Sequence, residues 1–353
     1  MQKLLEKLSS FPKGEFRSIY KLSLPEIANS GLLETVSKGG FREFHKKLIL
    51  LPAFPHGIGV GVGIMAQTNV AGRILRFASG AEPGRESSSE TRELTSRLLQ
   101  RISGGLGIVG LGVSEPGWLG KISNLKSSSR RLEDGSFELD FFKGFVTNGA
   151  DSEGFLVVAK GQEVPCGVFF VPRDQPGLVV EEFHLDFAQE ATHCKIKGEK
   201  IRIPAHYLLF EDYSKIGPDV HLSEMLSAAV LFCGAVRKIV SDLGVRSDAK
   251  DSSYVLGRLW DLSGLLFSKC LEISDRKDKD PLFRIEEIHP YGYETVLELC
   301  GSLLDSLDFL DRKKEYPDFE LFFSIHPARS PVYLKNRIRQ TREWRKFGRI
   351  SDQ

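Results

Sequence analysis

The spacing of hydrophobic positions changes twice along the chain. In residues 1–105 it is helical. Leu4, Leu5 and Leu8 fall on one face, 22–37 (after Pro25) and 41–50 have helix-forming stretches, and Leu94, Leu98, Leu99 and Ile102 repeat at helical spacing. Residues 52–80 are apolar and rich in small side chains, including Gly57-Ile58-Gly59-Val60-Gly61-Val62-Gly63. Small side chains let helices approach closely, so this stretch predicts packing rather than chemistry. The run Ala-Glu-Pro-Gly-Arg-Glu-Ser-Ser-Ser at 81–89 predicts a loop.

From residue 106 the apolar runs shorten and become rich in Val, Phe and Ile. They lie at 106–113, 137–142, 155–159, 167–172, 178–183 and 194–203, with Gly, Pro, Asp and Asn between them. Runs of this length with turn punctuation predict strands and an antiparallel β domain. Helical spacing returns over 220–310. Leu222, Met225, Leu226, Ala229, Val230, Cys233, Val236, Ile239, Val240 and Leu243 form one stripe, 253–274 and 291–311 are similar, and the charged 275–281 predicts a solvated connector. The expected class is α+β: an N-terminal helical domain (1–105), a central antiparallel β domain (106–213) and a C-terminal helical bundle (214–353).

Composition narrows the function. With 353 residues, 41% hydrophobic content and 27% charge, the chain reads as an ordinary globular protein of two or three subdomains. A net charge of +1 gives no concentrated basic surface, so no nucleic-acid partner is expected. The N-terminus alternates charge with leucine, which predicts neither a signal peptide nor a membrane span, and a cytoplasmic location. Cys166, Cys194, Cys233, Cys270 and Cys300 are odd in number and widely spaced, which predicts buried free thiols. His184 and the His193-Cys194 pair lack further ligands at metal spacing and read as structural.

Two glycine patterns carry little. Gly105-x-Gly107-x-x-Gly110 matches a dinucleotide fingerprint by letter, but a helix precedes it where the mechanism needs a strand. Around Gly117-Trp118-Leu119-Gly120-Lys121 a phosphate loop is excluded, because Glu115 holds the first glycine position and Ile122 follows the lysine.

Two other segments carry more. The first is Leu111-Gly112-Val113-Ser114-Glu115-Pro116-Gly117; the second is Lys143-Gly144-Phe145-Val146-Thr147-Asn148-Gly149. Each sets a hydroxyl beside a backbone bend at the edge of an apolar strand. Together they resemble the flavin-contacting strands of the acyl-CoA dehydrogenase family. Some hundred residues follow that family's order, through Phe155–Ala159, Gly167–Val171, Pro176-Gly177-Leu178 and Ile203–Leu209.

The resemblance implies FAD as cofactor. It implies Leu111, Val113 and Ser114 along the flavin pyrimidine edge, with Phe145 against the ring system and Thr147 near its reactive nitrogen. It implies α,β-dehydrogenation of acyl-CoA or another acyl thioester, an electron-accepting flavoprotein as partner, and a homodimer or homotetramer. The family's catalytic carboxylate near the C-terminus has no counterpart in Ile325-His326-Pro327-Ala328-Arg329-Ser330. Some relatives place it ten residues before a helix glycine; Glu224 stands in that relation to Gly234 and is the candidate base. Acid in a first helical turn also stabilises the helix dipole, so both roles stay open.

The chain departs from the family's pattern at several positions. Gly120-Lys121 replaces Ser-Asp. Arg246 stands where an Arg-x-x-Phe-Gly segment with a downstream Gln holds the FAD diphosphate, but Phe-Gly and Gln are absent. Cys300-Gly301-Ser302 matches the Gly-Gly turn poorly. Lys335, Arg337, Arg339, Arg342, Arg345, Lys346 and Arg349 form a basic tail, read as a solvated helix or as a contact for an anion such as a CoA phosphate. Two alternatives therefore stand beside the dehydrogenase: a non-catalytic homologue serving as a binding or scaffold subunit, and a flavin oxidase or monooxygenase on the same fold.

Overall fold

The computed structural model describes residues 1–324 other than 13, 81–86, 119, 247–249, 281–282, 284–291 and 307–315. The N-terminal part holds α1 (Gln2–Ser10), α2 (Ile19–Leu22), α3 (Leu24–Asn29), α4 (Thr35–Lys38) and α5 (Phe41–Leu48). A long apolar run follows as α6 (Gly57–Met65), a π-helical interval (Ala66–Gly72) and α7 (Arg73–Ala78). By length and composition Gly57–Ala78 is apolar enough to cross a membrane, but 89% of that window is buried inside the protein. Its glycines serve contact. A Cβ on Gly61 would meet Leu231 at 2.6 Å, and one on Gly63 would meet the Tyr20 ring at 2.5 Å. Next comes α8 (Ser89–Ser103), capped by Ser88 Oγ accepting from the Thr91 N–H at 3.1 Å, with Leu94, Leu98, Leu99 and Ile102 buried.

Eight strands follow: β1 (Val109–Gly112), β2 (Ser128–Arg131), β3 (Phe137–Thr147), β4 (Gly154–Ala159), β5 (Gly167–Pro172), β6 (Leu178–Phe183), β7 (His193–Ile203) and β8 (Leu208–Phe210). They form two four-stranded sheets, ordered β1-β4-β5-β8 and β2-β3-β7-β6. The sheets face each other across Leu139, Phe141, Phe155, Val157, Phe169 and Ile196. The antiparallel expectation holds for all pairings but one: β1 runs parallel to β4. Two strands of the other sheet intervene, so the chain re-enters the first sheet in the direction it left. The Gly105–Gly110 pattern lies between α8 and β1, the reverse of the dinucleotide arrangement. Gly105 has φ +68°, and a Cβ there would stand 2.7 Å from the Leu24 carbonyl oxygen, so packing on α3 and backbone conformation both require glycine.

The C-terminal part holds α9 (Gly217–Arg246), α10 (Lys250–Lys279), α11 (Tyr293–Asp305) and the short α12 (Glu320–Ser324). The solvated connector expected at 275–281 is instead mostly the end of α10, whose charges have partners. Asp278 accepts from the N–H groups of Gly40, Phe41 and Arg42 at 3.2, 2.7 and 2.9 Å and so caps α5. Lys277 is buried 3.0 Å from Asp219. All five cysteines are free and buried.

Candidate active site

Along β3, Phe137, Leu139, Phe141 and Lys143 point into the sandwich, as strand alternation requires. The register against β7 then slips between Lys143 and Val146, where Gly144 and Phe145 form a bulge. The slip reverses the alternation: Val146 turns inward, and Phe145 and Thr147 stand on the outer face. Phe145 is 40% exposed. Its ring lies 5.6 Å from Phe183 and 5.1 Å from His193, so the exposed aromatic is braced from β6 and β7.

Ser114 follows β1. Its carbonyl accepts from the Gly144 N–H at 2.8 Å, which sets its half-buried side chain beside the bulge. Thr147 lies three residues further along β3, roughly 10 Å at about 3.3 Å per residue. Asn148, with φ +60°, turns the chain immediately afterwards and donates from Nδ2 to the Gly63 carbonyl at 2.9 Å, tying the strand end to α6.

The Leu111 side chain packs partly, and the Val113 side chain fully, against one apolar cluster, so what they offer a ring is backbone. Among the described residues no strand pairs with the outer edge of β1. At its start Gln67 takes that place: Nε2 donates to the Val109 carbonyl at 2.9 Å, and Oε1 accepts from the Val109 N–H at 3.0 Å. Alternation turns the backbone N–H and C=O of Leu111 to the same edge. An open strand edge, two flanking hydroxyls and a braced, exposed aromatic match the needs of a flat heteroaromatic ring with a polar margin.

A buried ion pair pins these pieces. Lys143 is inaccessible to solvent, with Nζ 2.5 Å from Glu115 Oε1 and donating to the Val158 carbonyl at 2.6 Å. Glu115 also accepts from the N–H groups of Lys126 (2.6 Å) and Ser127 (3.2 Å) and from Ser127 Oγ (2.5 Å). Burial lowers Lys143 to about 8 against the opposing pull of Glu115. Burial would raise Glu115, but hydrogen bonds from Lys143, Ser127 and Lys126 outweigh it and hold the carboxyl below its usual range.

Glu224 lies well beyond the first turn of α9, which begins at Gly217; Asp219 occupies that turn. The helix-dipole role considered for Glu224 therefore passes to Asp219. The Glu224 side chain is 38% exposed, yet protein crowding raises its carboxyl to about 7. His221 Nδ1 stands 3.9 Å from Glu224 Oε2, and burial lowers that imidazole. Val220, one turn before Glu224, belongs to the same buried apolar cluster as Val113, just after β1.

The Arg246 side chain, residues 325–330 and the basic tail lie outside the described residues. Cys300-Gly301-Ser302 is interior to α11, not a turn. Among the described residues no three His, Cys, Asp or Glu side chains gather to hold a metal. Sequence reasoning passed over Gln67, the Glu115–Lys143 pair and the Phe183–His193 brace. Two of these had a signal: a lysine at an inward strand position, and Gln-Thr-Asn within the most apolar helix.

No protein-family profile and no curated protein matches the sequence. Solved structures do. The chain is similar to an FAD-dependent dehydrogenase at a TM-score of 0.74 and 16% identity, over 95% of each chain. It is similar to a prolyl acyl carrier protein oxidase (TM-score 0.71, 14% identity), over 90% of this chain and 88% of that one. It is also similar to a glutaryl-CoA dehydrogenase from Mycobacterium smegmatis in complex with FADH2 (TM-score 0.67, 17% identity), over 86% and 83%. The chain has the acyl-CoA dehydrogenase fold, in a sequence far diverged from these structures.

Proposed function

We propose that the chain is an FAD-dependent oxidoreductase that dehydrogenates the CH–CH group of an acyl thioester, acyl-CoA or a carrier-bound equivalent. The observation that carries this reading is the β3 bulge, which turns Phe145 and Thr147 to one face beside Ser114. When bound there, FAD would supply the hydride-accepting centre. The Ser114 and Thr147 hydroxyls and the Leu111 and Val113 backbone would hold its polar margin, and Phe145 would wall one side. Arg246, on α9, is assigned to the FAD diphosphate.

Glu224 takes the α proton of the thioester. A carboxyl held near 7 is largely ionised at pH 8 and remains basic enough to accept that proton. An electron-accepting flavoprotein as oxidant, and assembly as a homodimer or homotetramer, complete the reading.

Purified protein is expected to be yellow, with flavin absorbance that bleaches anaerobically on addition of acyl-CoA. In Glu224→Gln, flavin binding is kept and bleaching is lost. In the wild type the bleaching rate rises with pH through about 7, because the base must be ionised. Colour without thioester-dependent bleaching overturns the substrate assignment. A colourless protein that gains no thermal stability from added FAD assigns the fold to a scaffold role. The likeness to a prolyl acyl carrier protein oxidase favours a second reading, with oxygen as acceptor and a carrier-bound thioester. Substrate-dependent oxygen uptake selects it.

A further inference from the structure

The longest apolar helical run of the chain is interrupted by buried polar residues. In the π-helical interval, Gln67, Thr68 and Asn69 are all buried. A π-helical turn is rare and occurs often at functional sites. Its polar groups reach in two directions. Gln67 clasps Val109 at the edge of β1 through both amide atoms. Asn69 clasps α9: Nδ2 donates to the Ser223 carbonyl at 3.2 Å and to Ser227 Oγ at 2.5 Å.

The Asn69 clasp is anchored in turn. Ser274 Oγ donates to the Cys270 carbonyl at 2.7 Å and so accepts from His45 Nδ1–H at 2.7 Å. That leaves His45 Nε2 to accept from Ser227 Oγ–H at 2.7 Å. Burial lowers His45 to about 3, so the chain of bonds keeps one tautomer throughout the neutral range. Two residues of one helical turn therefore grip the strand edge on one side and, on the other, the peptide immediately before Glu224.

We propose that the π-helical turn is the spacer that fixes the Ser223–Glu224 stretch of α9 relative to the edge of β1, with Asn69 as the positioning residue for the Glu224 carboxylate. This inference rests on the reading of Glu224 as the base. Asn69 holds the carbonyl of Ser223, and Gln67 holds β1, so α9 cannot slide or turn relative to the strand while both clasps persist. Without Asn69 the α9 backbone at Ser223 is released from the π-helical interval. The packing around Glu224 loosens, and the carboxylate drifts from its place. A misplacement of about 1 Å can cost about 100-fold in rate. The titratable neighbours of Glu224 are His221 on its own helix and Tyr213 just before that helix. Burial keeps the Tyr213 phenol protonated, so neither neighbour adds a negative charge.

The test compares wild type with Asn69→Ala in the flavin-loaded protein, using flavin bleaching by acyl-CoA and NMR titration of carbon-13-labelled glutamate. Asn69→Ala is expected to bind flavin with an unchanged spectrum, to bleach roughly 10- to 100-fold more slowly, and to shift the Glu224 midpoint downward from its raised position. Asn69→Ser, smaller but polar, is expected to do the same more weakly and serves if the alanine variant does not fold. A folded variant with wild-type rate and wild-type Glu224 midpoint overturns the proposal. So does loss of flavin binding with the midpoint intact, which would assign Asn69 to the cofactor edge. Failure of both variants to fold assigns Asn69 to folding alone and also overturns it. If Glu224→Gln bleaches normally, the base reading fails by itself, and the NMR midpoint still decides what Asn69 does.

Discussion

At the scale of single residues, the glycines of α6 are set by what faces them. A Cβ on Gly59 would stand 1.7 Å from Glu190 Oε2, while Glu190 Oε1 accepts from His56 Nδ1 at 2.9 Å. Neither side can yield freely, because Glu190 and His56 are buried and His56 holds a left-handed φ of +62°. Gly59→Ala is therefore expected to destabilise by about 1–3 kcal/mol or more. Gly257→Ala on α10 meets nothing within 4 Å and is expected to stabilise by up to about 1 kcal/mol. Urea midpoints of the two variants check the contrast; equal shifts would mean that the Glu190 carboxylate moves aside at little cost. The glycine-rich run was legible as packing because small residues at close spacing have few other uses. The partner was not legible: nothing in the sequence links Gly59 to a glutamate some 130 positions away.

At the scale of elements, strand positions were legible because runs of Val, Phe and Ile with turn residues between them have one reading. The length of β3 was not. Its period slips at Gly144-Phe145, so the apolar run ends at 142 although the strand continues to Thr147. The end of α10 was misread for a different reason. Charged residues usually mark solvent, yet Lys277 and Asp278 are consumed by Asp219 and by the N-terminus of α5. The Glu115–Lys143 pair belongs at this scale, since it joins the loop after β1 to the strand before the bulge. Lys143→Met leaves a buried carboxylate unpaired and is expected to cost about 3–5 kcal/mol. The double variant Lys143→Met, Glu115→Gln should recover a large part of that loss, because no charge is then stranded. Denaturant midpoints of Lys143→Met, of Glu115→Gln and of the double variant measure the coupling; a double variant as unstable as the sum of the singles would show that the pair acts through packing alone.

At the scale of the whole molecule, the helical, β, helical order was legible from the two changes of period. The linking of α9 to β1 through the π-helical interval was not, because it depends on hydrogen bonds between residues far apart in sequence, Gln67 with Val109 and Asn69 with Ser223. On α9, burial places the Glu224 carboxylate where the fold disfavours its charge. A group whose folded pKa is raised binds its proton more tightly folded than unfolded, so its contribution to stability falls as pH climbs from the unfolded to the folded value. For Glu224 that window runs from 4.5 to about 7. Asp318, raised to about 6 mainly by burial and then by Glu190, slopes the same way from 3.8 upward. His56 contributes stability that is complete below 6.5 and is lost as pH passes its raised folded value. Glu115 and Asp219, held low by their cations, slope oppositely, so the total curve does not isolate any one group. A difference does. Glu224→Gln removes only the first contribution and is expected to melt at the wild-type temperature below about pH 4.5 and above it at pH 8, the gap opening between those limits. The variant that has lost thioester-dependent bleaching would then be the more stable protein under working conditions, as expected where a reactive group is held against its own solvation. Melting temperatures that coincide at pH 8 would mean that the fold does not desolvate Glu224, and the case for it as a base poised near neutrality would fall with them.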